Sequence, residues 1–158
     1  MAQQRKRTNK NVPAKGRLRD ICDSLWGKAV LADWNHRCAI CKGRATDPHH
    51  LVPRQHYATR YELSNGIGLC SRCHLWDPNY APHQNAAGWL EWLDAHHVGL
   101  YEAYIADPRP EFTGTTNVAY FCELIPTFKQ YICEHIYTNV VGVRFSAWLD
   151  EQGGCDGE

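Results

Sequence analysis

No stretch of this chain approaches the ~18 consecutive apolar residues that a membrane span requires. The N-terminus is polar where a secretory leader needs an apolar segment. Both absences predict a cytoplasmic protein with no membrane partner, and that setting favours reduced thiols over disulfides. Internal repeats and low-complexity tracts are also missing, which excludes a solenoid or a biased linker. Net charge is zero, with 17 basic and 17 acidic side chains. The total hides an asymmetry. Residues 1–19 contain no acidic residue but seven basic ones, Arg5, Lys6, Arg7, Lys10, Lys15, Arg17 and Arg19, whereas residues 109–158 carry three basic and seven acidic. Residues 1–16 lack periodicity and contain Pro13 and Gly16, so they are expected to be a disordered basic arm. Such an arm can hold a polyanion through phosphate contacts and counterion release, or simply solubilise the chain.

What is present fits a folded protein. Hydrophobic residues make up 44% and charged residues 22% of 158, close to globular averages, and six tryptophans supply large anchors for a compact centre. Four of eight cysteines form two pairs, Cys38-Ala-Ile-Cys41 and Cys70-Ser-Arg-Cys73, with 28 residues between them. Each pair can wrap a tight turn and offer two thiolates, so the spacing predicts one tetrahedral structural Zn²⁺.

Leu18, Ile21, Cys22, Leu25 and Ala29, widened by Trp26 and Val30, recur at the spacing of one buried helical face, which makes Cys22 a core residue. Lys42-Gly43-Arg44 reads as a turn, Leu51-Val52 as a short strand and residues 55–64 as a loop. Residues 66–69 read as a second strand, and a helix is expected near the second cysteine pair. The order is that of a ββα unit clasped by zinc. Residues 76–83 look irregular. Asn85 then caps a helix bearing Ala86, Trp89, Leu90 and Leu93, with Gly99 just past its end. Residues 100–106 are expected to form a short helix. Further on, Pro126 is expected to begin a helix burying Phe128, Ile132 and Ile136. Residues 141–147 fit a strand or a helix. Cys122 and Cys133 read as core, and Cys155 as free.

Four cysteines complete the zinc, so the histidines between the pairs need a separate explanation. His49 and His50 are adjacent, Asn65 follows, and His74 comes directly after the last cysteine. Neighbouring residues on an extended segment point opposite ways, so His49 can turn toward the following helix while His50 faces outward. One imidazole can then hold a metal together with His74 while the other takes a proton from water. Taken singly, each of these residues is more simply a surface or turn residue; the combination is what points to a site.

At His49-His50, Asn65 and Cys70-Ser-Arg-Cys73-His74 the sequence resembles the HNH endonuclease family, and Cys22-Asp-Ser-Leu-Trp26, His50-Leu-Val-Pro-Arg54, Tyr57-Ala-Thr-Arg-Tyr61 and Ala81-Pro-His83-Gln84-Asn85 resemble its phage-encoded four-cysteine branch. The resemblance covers about residues 18–106. It implies an α+β fold with a small zinc-stapled ββα-metal core flanked by helices. Residues 17–106 would be the nuclease domain and residues 107–158 a largely helical C-terminal extension. It implies that His50 is the general base and that His49 and His74 ligate a catalytic Mg²⁺ or Mn²⁺. Asn65 would brace the loop carrying His50, and double-stranded DNA would be the partner and substrate. Some family members use a third histidine one turn further along the helix; Pro78 stands there, leaving His83 as the nearby candidate. Arg54, Arg60 and Arg72 lie near these residues and are expected to hold phosphates, unless they belong to solvated loops. His36, His56, His96, His97 and His135 receive no role. A non-catalytic zinc-ribbon DNA-binding module would use the cysteines and the arm but leave the histidines idle. A zinc-stapled protein adaptor would leave both the arm and the histidines idle.

Deleting residues 1–16 removes Arg5, Lys6, Arg7, Lys10 and Lys15. Duplex DNA binding is expected to weaken and its dependence on salt to become shallower, because fewer counterions are released. An unchanged salt slope in a binding titration would show that the arm is only a tail.

Overall fold

The computed structural model describes residues 14–103 and 111–137. Outside them lie the arm through residue 13, residues 104–106 of the expected short helix, the 141–147 stretch and Cys155. The fold is mixed: helices around a two-stranded sheet.

Helix α1 spans Lys15–Asp33. Leu18, Cys22, Leu25, Trp26, Ala29 and Val30 are all buried along it, as their spacing predicts. It begins inside the segment expected to be a disordered arm, so Lys15 and Gly16 are helical. It ends where Asn35 and His36 turn left-handed at φ 49° and 53°, a conformation that cannot continue a right-handed helix. The Cys22 thiol is fully buried and donates to the Phe121 carbonyl at 3.6 Å; burial, then Asp23, push its pKa up to about 12. It is the inert core residue its position predicts.

Strands β1 (Asp47–His50) and β2 (Gly66–Leu69) pair antiparallel, with His50 opposite Gly66, His49 opposite Ile67, Pro48 opposite Gly68 and Asp47 opposite Leu69. β2 lies where the sequence predicts it. The first strand does not: it carries the two histidines themselves, and Leu51-Val52 bends away. Asn65 is the cause, since the Leu51 N–H donates to its backbone carbonyl at 3.0 Å and the Val52 N–H to its side-chain Oδ1 at 2.7 Å.

The two faces of this sheet are differently furnished. Alternation puts Pro48, His50, Gly66 and Gly68 on one side and Asp47, His49, Ile67 and Leu69 on the other. α1 lies flat on the first. A Cβ at Gly66 would sit 2.3 Å from Val30 Cγ2 and 2.9 Å from Trp26 Cζ2, and one at Gly68 would sit 3.0 Å from Trp34 Cβ. Trp26, Val30 and Trp34 recur every four residues, so a single helical stripe rests on glycines. Both indoles then reach past the strand: Trp34 Nε1–H donates to the Gly66 carbonyl at 3.1 Å and Trp26 Nε1–H to the Glu62 carbonyl at 3.0 Å.

On the second face Ile67 and Leu69 join Leu51, Val52, Trp89, Trp92 and Leu93 in one apolar cluster. The last three come from α2 (Ala86–His96), which Asn85 caps by accepting the Gly88 N–H at 3.0 Å, as expected. Trp92 rather than Ala86 completes its buried stripe. Gly99 does not terminate this helix; it lies within a short α3, Val98–Tyr101. The expected helix at the second cysteine pair is reduced to one wide turn, Arg72–Trp76, after which Asp77 and Pro78 lead into turns.

α4 spans Val118–Tyr137 and contains Pro126 rather than starting at it. Its start is fixed earlier because Asn117 Oδ1 accepts the Tyr120 N–H at 2.9 Å. Phe121, Ile125, Phe128 and Ile132 form its buried face, packed in one cluster with α1 and Tyr61. The C-terminal helix thus shares the core of α1. Cys122 and Cys133 are both half-buried and packed against this cluster, in keeping with the core setting expected of them. Among the described residues no helix is long and apolar enough to cross a membrane.

Gly66→Ala is expected to destabilise the fold by about 1–3 kcal/mol, the usual range for overpacking a well-filled contact. Urea or thermal unfolding measures it, and a wild-type midpoint would mean that α1 does not lie this close to β2.

Candidate functional site

Among the described residues, two clusters of side chains could hold a metal ion. The first is Cys38, Cys41, Cys70 and Cys73, whose sulfurs all lie within 4.8 Å of one another. In the first knuckle the Cys38 N–H donates to the Gly43 carbonyl at 2.7 Å and the Lys42 N–H to the Cys38 carbonyl at 2.9 Å. The turn falls where Lys42-Gly43-Arg44 predicts, but Lys42 takes the left-handed conformation, at φ 62°. The Ala39 N–H ties this knuckle to Gly68 of β2 at 2.9 Å. In the second, the Cys73 N–H points at Cys70 Sγ at 3.5 Å. A tetrahedron with ~2.3 Å metal–sulfur bonds has edges of about 3.8 Å, and Cys41 Sγ lies 3.7 Å from Cys70 Sγ. Burial and the neighbouring thiols push the Cys73 pKa up, a penalty that a divalent cation would remove. The cluster fits a structural metal such as zinc.

The second cluster is His49, His74 and His83, again with ligand atoms within 4.8 Å. His49 Nδ1 lies 3.2 Å from His74 Nε2, a separation that two ligands at ~2.1 Å would span with an angle near ~100° at the ion. His74 Nδ1 faces Asp47 Oδ2 at 3.3 Å, the arrangement in which a carboxylate takes the Nδ1 proton and leaves Nε2 as the free donor atom. Ser71 Oγ–H donates to the same carboxylate oxygen at 3.0 Å. Burial first, then His74, His83 and His50, push the pKa of His49 down to about 3. Burial also lowers His74, partly offset by Asp47. Both rings are therefore neutral at pH 7, with lone pairs available to a cation.

His50 goes the other way, as alternation predicts, but it does not face open solvent. Its ring stacks on Trp26 of α1, with centroids 3.6 Å apart and planes 12° apart. Its Nε2 lies 3.0 Å from the Arg60 carbonyl, which can only accept, so Nε2 carries the proton and Nδ1 the lone pair. Burial lowers its pKa and the bond to Arg60 partly restores it. His49, His50, His74 and His83 nonetheless line one cleft of about 390 Å³, together with Pro48, Pro53, Arg54 and Gln55.

Asn65 is fully buried. Its amide donates to the Val52 carbonyl at 3.1 Å and the Thr59 carbonyl at 3.0 Å, while its Oδ1 accepts the Val52 N–H. It therefore closes the segment that follows His50. Of the three arginines expected to hold phosphates, Arg54 is exposed on the cleft and Arg72 is exposed on the wide turn. Arg60 corrects the expectation: only 6% exposed, it turns inward and pairs with Asp23. Its charge is spent inside the protein.

Three residues were undervalued by the sequence. His83 looked weak because Pro78 occupies the position one helical turn on, yet the chain folds back. Asn85 Nδ2–H donates to the Pro78 carbonyl at 3.1 Å, closing a loop that returns His83 to 4.8 Å, centroid to centroid, from His74. Asp47 is two residues before His49 on the same strand face, a signal readable from alternation once the strand is placed. Asp23 has no such signal, because its partner lies 37 residues away.

No family model, curated protein or solved structure matches this chain.

Metal held by the four cysteines is expected to act as folding free energy, since the small sheet buries little apolar surface of its own. Protein purified without chelator should contain one tightly held zinc per chain by elemental analysis, and Cys38→Ser should lose it and melt far below wild type. A metal-free preparation with an unchanged melting curve would rule this out.

Proposed function

We propose that the chain is a metal-dependent endonuclease of the HNH kind, resembling the phage-encoded four-cysteine branch. It would hydrolyse phosphodiester bonds in double-stranded DNA, by nicking or double-strand cleavage, to 5′-phosphate and 3′-hydroxyl ends. The observation that carries this reading is a cleft in which three imidazoles converge and a fourth, His50, is held in one tautomer beside them.

His49, His74 and His83 would hold a divalent ion, Mg²⁺ or Mn²⁺, which when bound supplies Lewis-acid stabilisation of the charge that builds on the phosphate and the departing 3′ oxygen. Asp47 keeps His74 in the ligating tautomer. His50 is the general base: with its proton on Nε2, it takes a proton from water at Nδ1, and the lowered pKa keeps that lone pair free at neutral pH. The stack on Trp26 fixes the plane in which that lone pair lies. Arg54 at the cleft and Arg72 on the wide turn remain available for phosphate oxygens. The zinc-ribbon alternative leaves the oriented lone pair of His50 without work.

Cleavage rate against Mg²⁺ or Mn²⁺ concentration separates the assignments. His50→Ala is expected to lose roughly 10²–10⁴-fold in rate with no recovery at high metal. His49→Ala and His83→Ala should bind the ion more weakly by calorimetry and recover part of their activity as metal is added. Full activity in all three variants would overturn the mechanism, and metal rescue of His50→Ala alone would exchange the roles.

A further inference from the structure

The carbonyl that selects the tautomer of His50 belongs to Arg60, and the side chain of that same residue donates a hydrogen bond from each of its three nitrogens. Arg60 Nε–H donates to Asp23 Oδ1 at 3.0 Å and Nη2–H to Asp23 Oδ2 at 2.6 Å, a two-pronged pair that fixes direction as well as distance. The remaining prong, Nη1–H, donates to the Arg54 carbonyl. Tyr61 O–H donates to Asp23 Oδ1 at 2.9 Å, and the guanidinium lies 5.2 Å from the Tyr57 ring and 5.4 Å from the Tyr61 ring.

We propose that the Asp23–Arg60 pair is a positioning device for His50, setting the ring's tautomer and orientation through the Arg60 carbonyl, and that it links α1 and α4 to the chemistry. This rests on reading His50 as the general base. Arg60 is buried and Asp23 half-buried, and an ion pair that takes a guanidinium out of water is a poor way to gain stability, because an apolar side chain of similar volume avoids the desolvation cost. What such a pair supplies is a unique arrangement, and here one guanidinium holds both ends of the segment from Arg54 to Arg60. At one end it fixes the carbonyl that meets His50; at the other it fixes the backbone from which Arg54 reaches the cleft. Asp23 lies one turn of α1 before Trp26, the residue on which His50 stacks, so carbonyl and stacking platform are referred to the same helix. Tyr61 extends the linkage outward. Its ring contacts Tyr120, Phe121 and Phe128 of α4 at centroid distances of 6.2, 6.3 and 6.2 Å. Burial, followed by the charge of Asp23, pushes its hydroxyl pKa up, so it remains a donor to that carboxylate.

The test uses the full zinc-loaded chain and the variants Asp23→Asn, Arg60→Lys and Tyr61→Phe, with folding checked by circular dichroism and zinc content. Nitrogen-15 correlation spectra of the His50 ring report the tautomer without reference to activity, and single-turnover cleavage with Mn²⁺ reports the chemistry. Wild type is expected to show His50 protonated at Nε2 alone. Asp23→Asn and Arg60→Lys should show a mixture of tautomers and, at saturating DNA, a turnover rate lower by roughly 10²-fold, with Mn²⁺ affinity unchanged. Tyr61→Phe, which removes only a hydroxyl, should move both readouts the same way by less, and it carries the test if the other variants do not fold. A pure Nε2–H tautomer with a wild-type rate in the folded variants would overturn the proposal. If wild type cleaves no DNA with any divalent ion while the tautomer still responds to Asp23→Asn, the endonuclease reading falls and the positioning of His50 stands.

Discussion

The close approach of α1 to β2 is the contact on which the rest of the molecule depends. Side chains at 66 and 68 would push the helix away, and glycine at both places lets Trp26, Val30 and Trp34 lie directly on the strand. Because His50 pairs with Gly66, the space left by the missing side chain is also the space in which the imidazole meets the Trp26 ring. One omission in the sequence therefore sets both a packing distance and the attitude of the His50 ring. The indole N–H groups of Trp26 and Trp34 then find carbonyls on the far side, so the contact is apolar in its centre and hydrogen-bonded at its margins.

A two-stranded sheet has two faces, and this one uses them for different purposes. One face is pressed on α1 and, through it, on α4; the other faces α2 and the four cysteines. His49 and His50, neighbours in the chain, thereby belong to different halves of the core. The metal-ligating set depends on the half that the cysteines organise, and the orientation of His50 on the half that α1 organises. Asn65 joins the two by fastening the segment after His50 to the start of β2.

Much of this was legible in the sequence where a signal is local. The α1 stripe, the Asn85 cap, the two cysteine knuckles and β2 depend on spacing within a turn or two, and each was found. Misplacements came where a competing hydrogen-bond partner, near or distant, decides. Leu51-Val52 has strand composition, yet Asn65, more than a dozen residues on, claims its backbone. Pro126 looks like a helix start, but Asn117 caps the helix sooner. Arg60 looks like a free cation because its partner Asp23 is on another helix, and His83 looks remote because the loop that returns it is closed by Asn85. Alternation on β1 separated His49 from His50 correctly; it could not show that a tryptophan of α1 would cover the second.

The two halves of the core also differ in how far along the chain their parts must travel to meet. Cys41 and Cys70 are 29 residues apart, whereas the Cys22 thiol and the Phe121 carbonyl are separated by 99. Loop-closure entropy grows as the logarithm of that separation, so uniting α1 with α4 costs on the order of 1 kcal/mol more than closing the knuckles. Non-local contacts of this kind also form slowly. The order of assembly that follows is a sheet and its cysteine clasp first, with α4 docking last onto α1. The part of α1 that meets α4, where the Cys22 thiol reaches the Phe121 carbonyl, would then reach its final packing only in the closing step of folding.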